Sequence, residues 1–237
     1  MRLVLAAFLL LIGALILGCL TTPLRAQAPQ PTAEDNLTGD EFAAILKEAW
    51  VFLKDETDSL LKRIEKKEEF ETSGEFERRV IDTRQRYIAS TQRFQREKKF
   101  HERVFGVLLK AKLQNYDADQ QVYFVRCDTS IQAPYNIPSL KTTIPRNPYV
   151  GLIDTIRGGY RVSVIYLKFS PAFRWQVGRD AARIAKLEEE DLFFKVRFRI
   201  DAAQETFKKE AYLTIIPAHI MLFNRKTNTI HWEQKLM

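Results

Sequence analysis

The sequence predicts an α+β protein in which a helical hairpin precedes an antiparallel, β-rich and sandwich-like domain. Two segments with the apolar periodicity of amphipathic helices occupy residues 39–103. From residue 104 to residue 237, short runs of alternating apolar and polar residues are separated by turn signals. Helices that come before a set of strands, rather than between them, are typical of this fold class.

The first 28 residues have the pattern of an export signal. Arg2 is followed by a leucine-rich apolar run from Leu3 to Leu17, and a cation before such a run directs a chain across a membrane. We therefore expect the folded part to lie outside the cytoplasm, in a bacterial periplasm or attached to a membrane that faces it. Residues 21–38 hold three prolines and little apolar surface, which predicts a flexible tether.

Three kinds of processing fit this signal. Cleavage at the small residues Ala26–Ala28 is one. The second is lipid modification of Cys19, because Ile16–Cys19 resembles the lipobox of bacterial lipoproteins. The third is an uncleaved membrane anchor, since residues 3–20 are barely long enough to span a bilayer. Membrane contact would thus come from a lipidated Cys19 or a retained signal.

Capping boxes predict where both helices begin. In a capping box, a Thr and a Glu three residues later each bond a free backbone N–H of the other residue. This spacing occurs at Thr38 and Glu41 and again at Thr72 and Glu75. We expect the first helix to end near Lys67 and the second near Phe100. The apolar stripes that define the two helices contain these residues: Phe42, Ile45, Leu46, Ala49, Leu53, Leu60, Leu61 and Ile64, then Phe76, Val80, Ile81, Tyr87, Ile88 and Phe94.

The two helices carry opposite charge. Residues 40–77 contain 6 Lys and Arg against 12 Asp and Glu, whereas residues 78–112 contain 11 against 3. Opposite charge and facing apolar stripes favour an antiparallel hairpin. Arg79, Arg86 and Arg93 recur every seven residues on the second helix, which predicts either ion pairs with the first helix or a docking face for an acidic partner or anionic head groups.

The β-rich part begins with a predicted hairpin over residues 107–127, which turns at Tyr116–Asp119. Further strands are expected at 160–169, 192–200, 211–216, 219–224 and 229–233, with one short helix near 180–189. The segment 128–149 contains four prolines, so we expect it to hold no regular element. Such a long loop is either a crossover or a binding loop, and the residues with which it would bind are Tyr135, Lys141, Arg146 and Tyr149.

The sequence offers little support for chemistry. Its three histidines have no paired spacing, and no nucleophile motif or phosphate-binding glycine loop occurs. Cys127 is interpreted as a core thiol, and the acidic run 188–191 as a solvated surface. We therefore predict no cofactor, metal site or catalytic residue.

A basic exported protein meets anionic lipids, envelope polymers or acidic proteins rather than nucleic acid. The net charge of +7 fits such a partner, although a spread charge that only maintains solubility would look the same. The expected function is a non-catalytic binding or adaptor module of the cell envelope. The alternatives are an enzyme that acts on an envelope polymer or lipid through dispersed carboxylates, and a structural lipoprotein. The partner and the oligomeric state are not indicated.

Overall fold

A computed structural model describes residues 34–134, 139–157, 159–207 and 210–236. The predicted export signal, Cys19 and most of the predicted tether lie outside these residues. The described chain is α+β, with a helical hairpin followed by a mostly antiparallel β-rich region. This confirms the predicted fold class.

The hairpin consists of α1 (Gly39–Ile64) and α2 (Ser73–Glu97). Both predicted capping boxes are present, with Thr38 bonded to Glu41 and Thr72 bonded to Glu75. The helices end about three residues before the expected positions. Phe42, Leu46, Ala49 and Leu53 of α1 are buried in the same apolar core as the sheet, so the first half of the hairpin is part of that core.

The larger sheet has seven strands. Six of them pair antiparallel in the order β10-β9-β8-β1-β2-β7, and β4 pairs parallel with the first half of β9. A third helix, α3 (Arg179–Leu187), and a 3-10 turn (Glu189–Asp191) connect β7 to β8. The strands of this sheet are β1 (Phe105–Asp117), β2 (Val122–Cys127), β4 (Leu140–Thr143), β7 (Phe173–Gln176), β8 (Leu192–Asp201), β9 (Ala211–Asn224) and β10 (Thr229–Lys235).

Alternating burial along β8 confirms the clearest strand prediction. Phe194, Val196, Phe198 and Ile200 face the core and are at most 1 % exposed. The two strands expected at 211–216 and 219–224 are one strand, β9. Its pairing with β8 shifts between Arg197 and Phe198, and this irregularity carries the ladder past Pro217.

The large sheet is curled so that its two edge strands approach each other. The ring centroids of Phe173 on β7 and Trp232 on β10 lie 4.5 Å apart, and His231 packs on Trp175 at 5.1 Å. Phe169 and Phe194 extend this aromatic cluster towards the interior. Aromatic packing, rather than backbone pairing, therefore joins these edges.

A second sheet corrects the prediction that residues 128–149 hold no regular element. Two short strands lie in this segment, β3 (Ile131–Ala133) and β4. The prediction was wrong because the prolines flank these strands instead of interrupting them. With β5 (Val150–Arg157) and β6 (Tyr160–Leu167), β3 forms a three-stranded antiparallel sheet in the order β3-β6-β5.

The segment before α1 is fixed to the outer face of the large sheet. Leu37 forms a parallel bridge with Val107, and the Gly106 N–H donates to the Glu34 carbonyl at 2.8 Å. The Asp35 carboxylate accepts from Arg197 at 2.9 and 3.0 Å and from Lys195 at 3.3 Å. Burial alone raises the pKa of Asp35, but the Arg197 hydrogen bond and both cations outweigh it and hold that pKa below its ordinary value.

Candidate partner-binding site

The outer half of the helical hairpin contacts the core only through the partly buried Leu61 and Ile64. No residue from 61 to 82 is buried, whereas Thr83, Tyr87 and Phe94 further along α2 are. Ten helical residues, from Ser73 to Asp82, correspond to a projection of about 15 Å. We call residues 61–82 the arm; it carries Arg79, and Arg86 follows at its base.

Arg79 is a structural clamp and not an open docking contact. Its guanidinium donates to both carboxylate oxygens of Glu71, at 2.8 and 2.6 Å, and also to the backbone carbonyls of Arg63 and Lys66. These carbonyls lie at and just beyond the end of α1, so the guanidinium joins the three segments of the arm. The hydrogen bond from Arg79 lowers the pKa of Glu71 to about 2. For Arg79 the structure therefore favours the ion-pair alternative.

Arg86 lies in a groove between the two helices and forms no ion pair or hydrogen bond with any residue that the structure describes. Two adjoining cavities of about 380 and 170 Å³ make up this groove, and Arg63, Thr83 and Arg86 line both of them. The Arg63 guanidinium, from the facing helix, likewise has no partner in the described chain. We call these two cavities the basic groove.

Hydroxyl groups and carboxylates complete the basic groove. Ser59 and Ser90 line its smaller cavity, where the Tyr87 hydroxyl is held 3.2 Å from Thr57. Glu75, whose Oε2 accepts from the N–H and the hydroxyl of Thr72 in the capping box, lines the larger cavity. The remaining lining residues of the two cavities are Glu56, Leu60, Arg78, Arg79 and Asp82.

Two guanidinium groups that face one groove, with hydroxyl donors beside them, form a surface that accepts carboxylate or phosphate oxygens. Arg93, one heptad beyond Arg86, is exposed and forms no hydrogen bond or ion pair with described residues. Arg86 and Arg93 are therefore available for docking, whereas Arg79 is not. Sequence reasoning missed Arg63, although an antiparallel hairpin necessarily brings the end of α1 beside the beginning of α2.

Three of the four residues of the predicted binding loop lie in the described chain. Tyr135 lies outside the described residues. Lys141, on β4, forms an ion pair with Glu210 at 2.8 Å, and Tyr149 packs its ring against Phe169 and Trp232. Lys141 and Tyr149 thus contact other parts of the fold, while Arg146 is exposed.

A different, open cleft of about 750 Å³ collects three carboxyl groups, those of Asp201, Glu205 and Glu210. Its wall includes the half-exposed Tyr212, whose hydroxyl donates to Glu210 at 2.9 Å. The hydrogen bond from Lys141 lowers the pKa of Glu210. A lowered pKa keeps this carboxyl ionised near neutral pH, which suits binding or nucleophilic roles better than proton donation.

Cys127 and the acidic run 188–191 contact other parts of the fold. Burial raises the pKa of the Cys127 thiol, so the reactive thiolate is disfavoured. The acidic run is only partly a solvated surface. The Glu188 carboxylate accepts from Asn224 at 2.7 Å, and the Glu189 carboxylate accepts from the Leu113 N–H at 2.8 Å. Within the described ranges, no group of three or more His, Cys, Asp or Glu residues has an arrangement that could hold a metal ion.

Comparisons with known proteins give no family and no similar structure for this chain. No protein-family model, curated protein or solved structure matches this chain. Among the residues that the structure describes, no helix is long and apolar enough to cross a bilayer.

Proposed function

We propose that this chain is an exported, non-catalytic binding module of the bacterial cell envelope, which docks an acidic segment of a partner protein on its helical hairpin. The basic groove carries the proposal, because Arg63 and Arg86 face it from two helices without a partner among the described residues. A guanidinium group that is left unpaired in a groove is available for a bidentate contact with a carboxylate.

The position of the groove supports a protein partner. It lies at the base of an arm that contains no buried residue, so an incoming segment can reach it without moving a strand. The export signal and tether remain predictions from the sequence. Together they would deliver this arm to the envelope, where an acidic protein surface is accessible.

Copurification after crosslinking in the native cell tests the proposal. Wild type should yield a discrete partner at near-stoichiometric amount, and Arg86→Glu with Arg63→Glu should reduce its recovery at least tenfold. The matched control is Arg183→Glu on α3, which also reverses an exposed arginine. Equal recovery from wild type and the double variant, with all variants folded, would contradict the basic groove as the docking site.

A second candidate is an enzyme that acts on an envelope polymer, and the cleft with Asp201, Glu205 and Glu210 favours it. Its discriminating test is turnover of isolated envelope polysaccharide, followed as released reducing ends. Loss of activity in Asp201→Asn and in Glu205→Gln would support this candidate. Absence of turnover by wild type would exclude it for that polymer.

The third candidate, a structural lipoprotein, depends on Cys19. The intact mass of the mature chain decides it, because acylation adds the mass of the lipid to a chain that begins at Cys19. A mass that corresponds to a chain beginning after Ala26 or Ala28 would exclude it.

A further inference from the structure

The tip of the arm presents an apolar side chain to solvent. Phe70 lies in the loop between α1 and α2 and is 94 % exposed, more than any other exposed large hydrophobic residue of the described chain. Single exposed hydrophobic residues are common on proteins, so exposure alone assigns no role. The way in which its loop is held distinguishes Phe70.

The loop that carries Phe70 is fixed by several hydrogen bonds on both sides of it. The Glu71 N–H donates to the Glu68 carbonyl at 3.2 Å, and the Glu68 N–H donates back to the Glu71 carboxylate at 3.1 Å. The same carboxylate is gripped by Arg79, which also bonds the Lys66 carbonyl at 3.1 Å. A fixed loop loses little further conformational entropy on binding, which is the physical basis of preorganised recognition.

The carboxylates directly beside Phe70 favour a protein surface over a lipid surface. Glu68 and Glu69 immediately precede it and are both exposed, and the exposed Lys66 and Lys67 come before them. Inserting Phe70 into an anionic bilayer would bring these two carboxylates against like-charged head groups. A hydrophobic pocket on a protein accepts the ring while leaving both carboxylates in water at its rim.

We propose that Phe70 is the apolar anchor with which the arm enters a hydrophobic pocket of the partner protein, and that Arg79 is the positioning residue that presents it. This inference rests on the proposed function and extends the same interface from the basic groove to the tip of the arm. Interface energy is concentrated in a few central, well-packed side chains. The two unpaired arginines then provide charge recognition, and Phe70 provides apolar contact.

The test begins with a photoreactive benzoylphenylalanine placed at position 70, at position 59 in the basic groove and, as a control, at position 187 in living cells. Ser59 lines the groove, so a probe there leaves Arg63 and Arg86 in place. Leu187 on α3 is 88 % exposed and so matches Phe70 in accessibility. The expected result is one protein of the same identity attached at positions 70 and 59, with no such adduct at 187. A protein adduct at 59 but none at 70 would overturn the anchor and leave the proposed function standing.

Binding of that purified protein is then measured with exposed-residue variants. Phe70→Ala should weaken the affinity at least tenfold without changing the melting temperature, Phe70→Trp should restore most of it, and the control Leu187→Ala should have no effect. Arg79→Ala should also weaken binding, but the double variant Phe70→Ala, Arg79→Ala should be no weaker than Phe70→Ala alone. Additive losses would contradict the positioning role of Arg79, and wild-type affinity of Phe70→Ala would overturn the anchor.

Vesicles of phosphatidylethanolamine and phosphatidylglycerol provide the lipid comparison. We expect that any cosedimentation of the full chain with these vesicles does not depend on Phe70. Cosedimentation that disappears in Phe70→Ala but persists in Leu187→Ala would overturn the proposal in favour of a membrane-binding tip.

Discussion

Individual side chains in this protein divide into those that the fold uses and those that it leaves available. Arg79 and Arg86 are seven residues apart on one helical stripe, and the sequence gives no reason to treat them differently. Arg79 meets Glu71 because the loop after α1 turns back towards α2, whereas no carboxylate of the described residues forms an ion pair with Arg86. The heptad pattern could therefore predict the stripe but not which arginine remains unpaired.

Glu71 provides a direct test of the clamp. Its pKa in the folded protein is about 2 because of the hydrogen bond from Arg79, against an ordinary value of 4.5. We expect Arg79→Ala to return this pKa to near 4.5, as measured by NMR titration of the side chain. A value near 2 in the variant would show that Arg79 does not cause the shift.

The same shift sets the pH dependence of the arm. Because the folded pKa lies below the unfolded one, the contribution of Glu71 to stability is fully present above about pH 4.5 and is lost as the pH falls towards 2. Amide exchange in residues 65–72, compared between wild type and Arg79→Ala, should differ near neutral pH and converge near pH 2. A constant difference over this range would contradict the clamp.

Asp35 should be the most costly carboxylate to remove. Its side chain and that of Lys195 are only 10 % and 5 % exposed, so Asp35→Ala leaves the buried Lys195 ammonium without a counter-charge. We expect a loss of about 3 kcal/mol in the free energy of unfolding, measured by urea denaturation. The control is Asp58→Ala, which breaks the exposed pair with Lys54 and should cost less than about 1 kcal/mol.

The secondary-structure elements were predictable where local chemistry decides them. Both capping boxes are local signals, and so are the turn after β1 and the alternating face of β8. The strands β3, β4, β5 and β7 were not predicted. β3, β4 and β7 have only three or four residues, and each is specified by its partner strand, which lies far away in the sequence.

Gly106 shows how a strand position can be specified by a distant segment. A Cβ atom at this position would lie 2.5 Å from the Asp35 carbonyl oxygen. Gly106→Ala should therefore displace residues 34–37 and cost about 2 kcal/mol in stability.

Gly74 is the matched control for that glycine. Nothing lies within 4 Å of a Cβ atom built on it in the first turn of α2. Gly74→Ala should be neutral or should stabilise by up to about 1 kcal/mol. Urea denaturation of the two variants compares them, and equal effects would contradict the close packing of residues 34–37 on β1.

In the described molecule, one core supports an arm that contacts it only through Leu61 and Ile64. The first half of α1 packs with the sheets, so the hairpin is anchored, and the arm extends from that anchored half. The sequence indicated a hairpin and a charge-segregated surface, but it could not indicate how far the hairpin stands clear of the core. That depends on which turns of α1 and α2 face the sheet, and so on contacts between residues far apart in the chain.

Photocrosslinking at the basic groove shows whether the hairpin binds a protein partner. A benzoylphenylalanine at position 59, which lines the groove and leaves Arg63 and Arg86 in place, is irradiated in cells that express the full chain. A second probe at position 183 on α3 provides the comparison. We predict a single protein adduct at 59 that is missing at 183 and whose yield falls when Arg63 and Arg86 are changed to glutamate. The same adducts at both positions, or none at 59, would contradict the basic groove as a docking site.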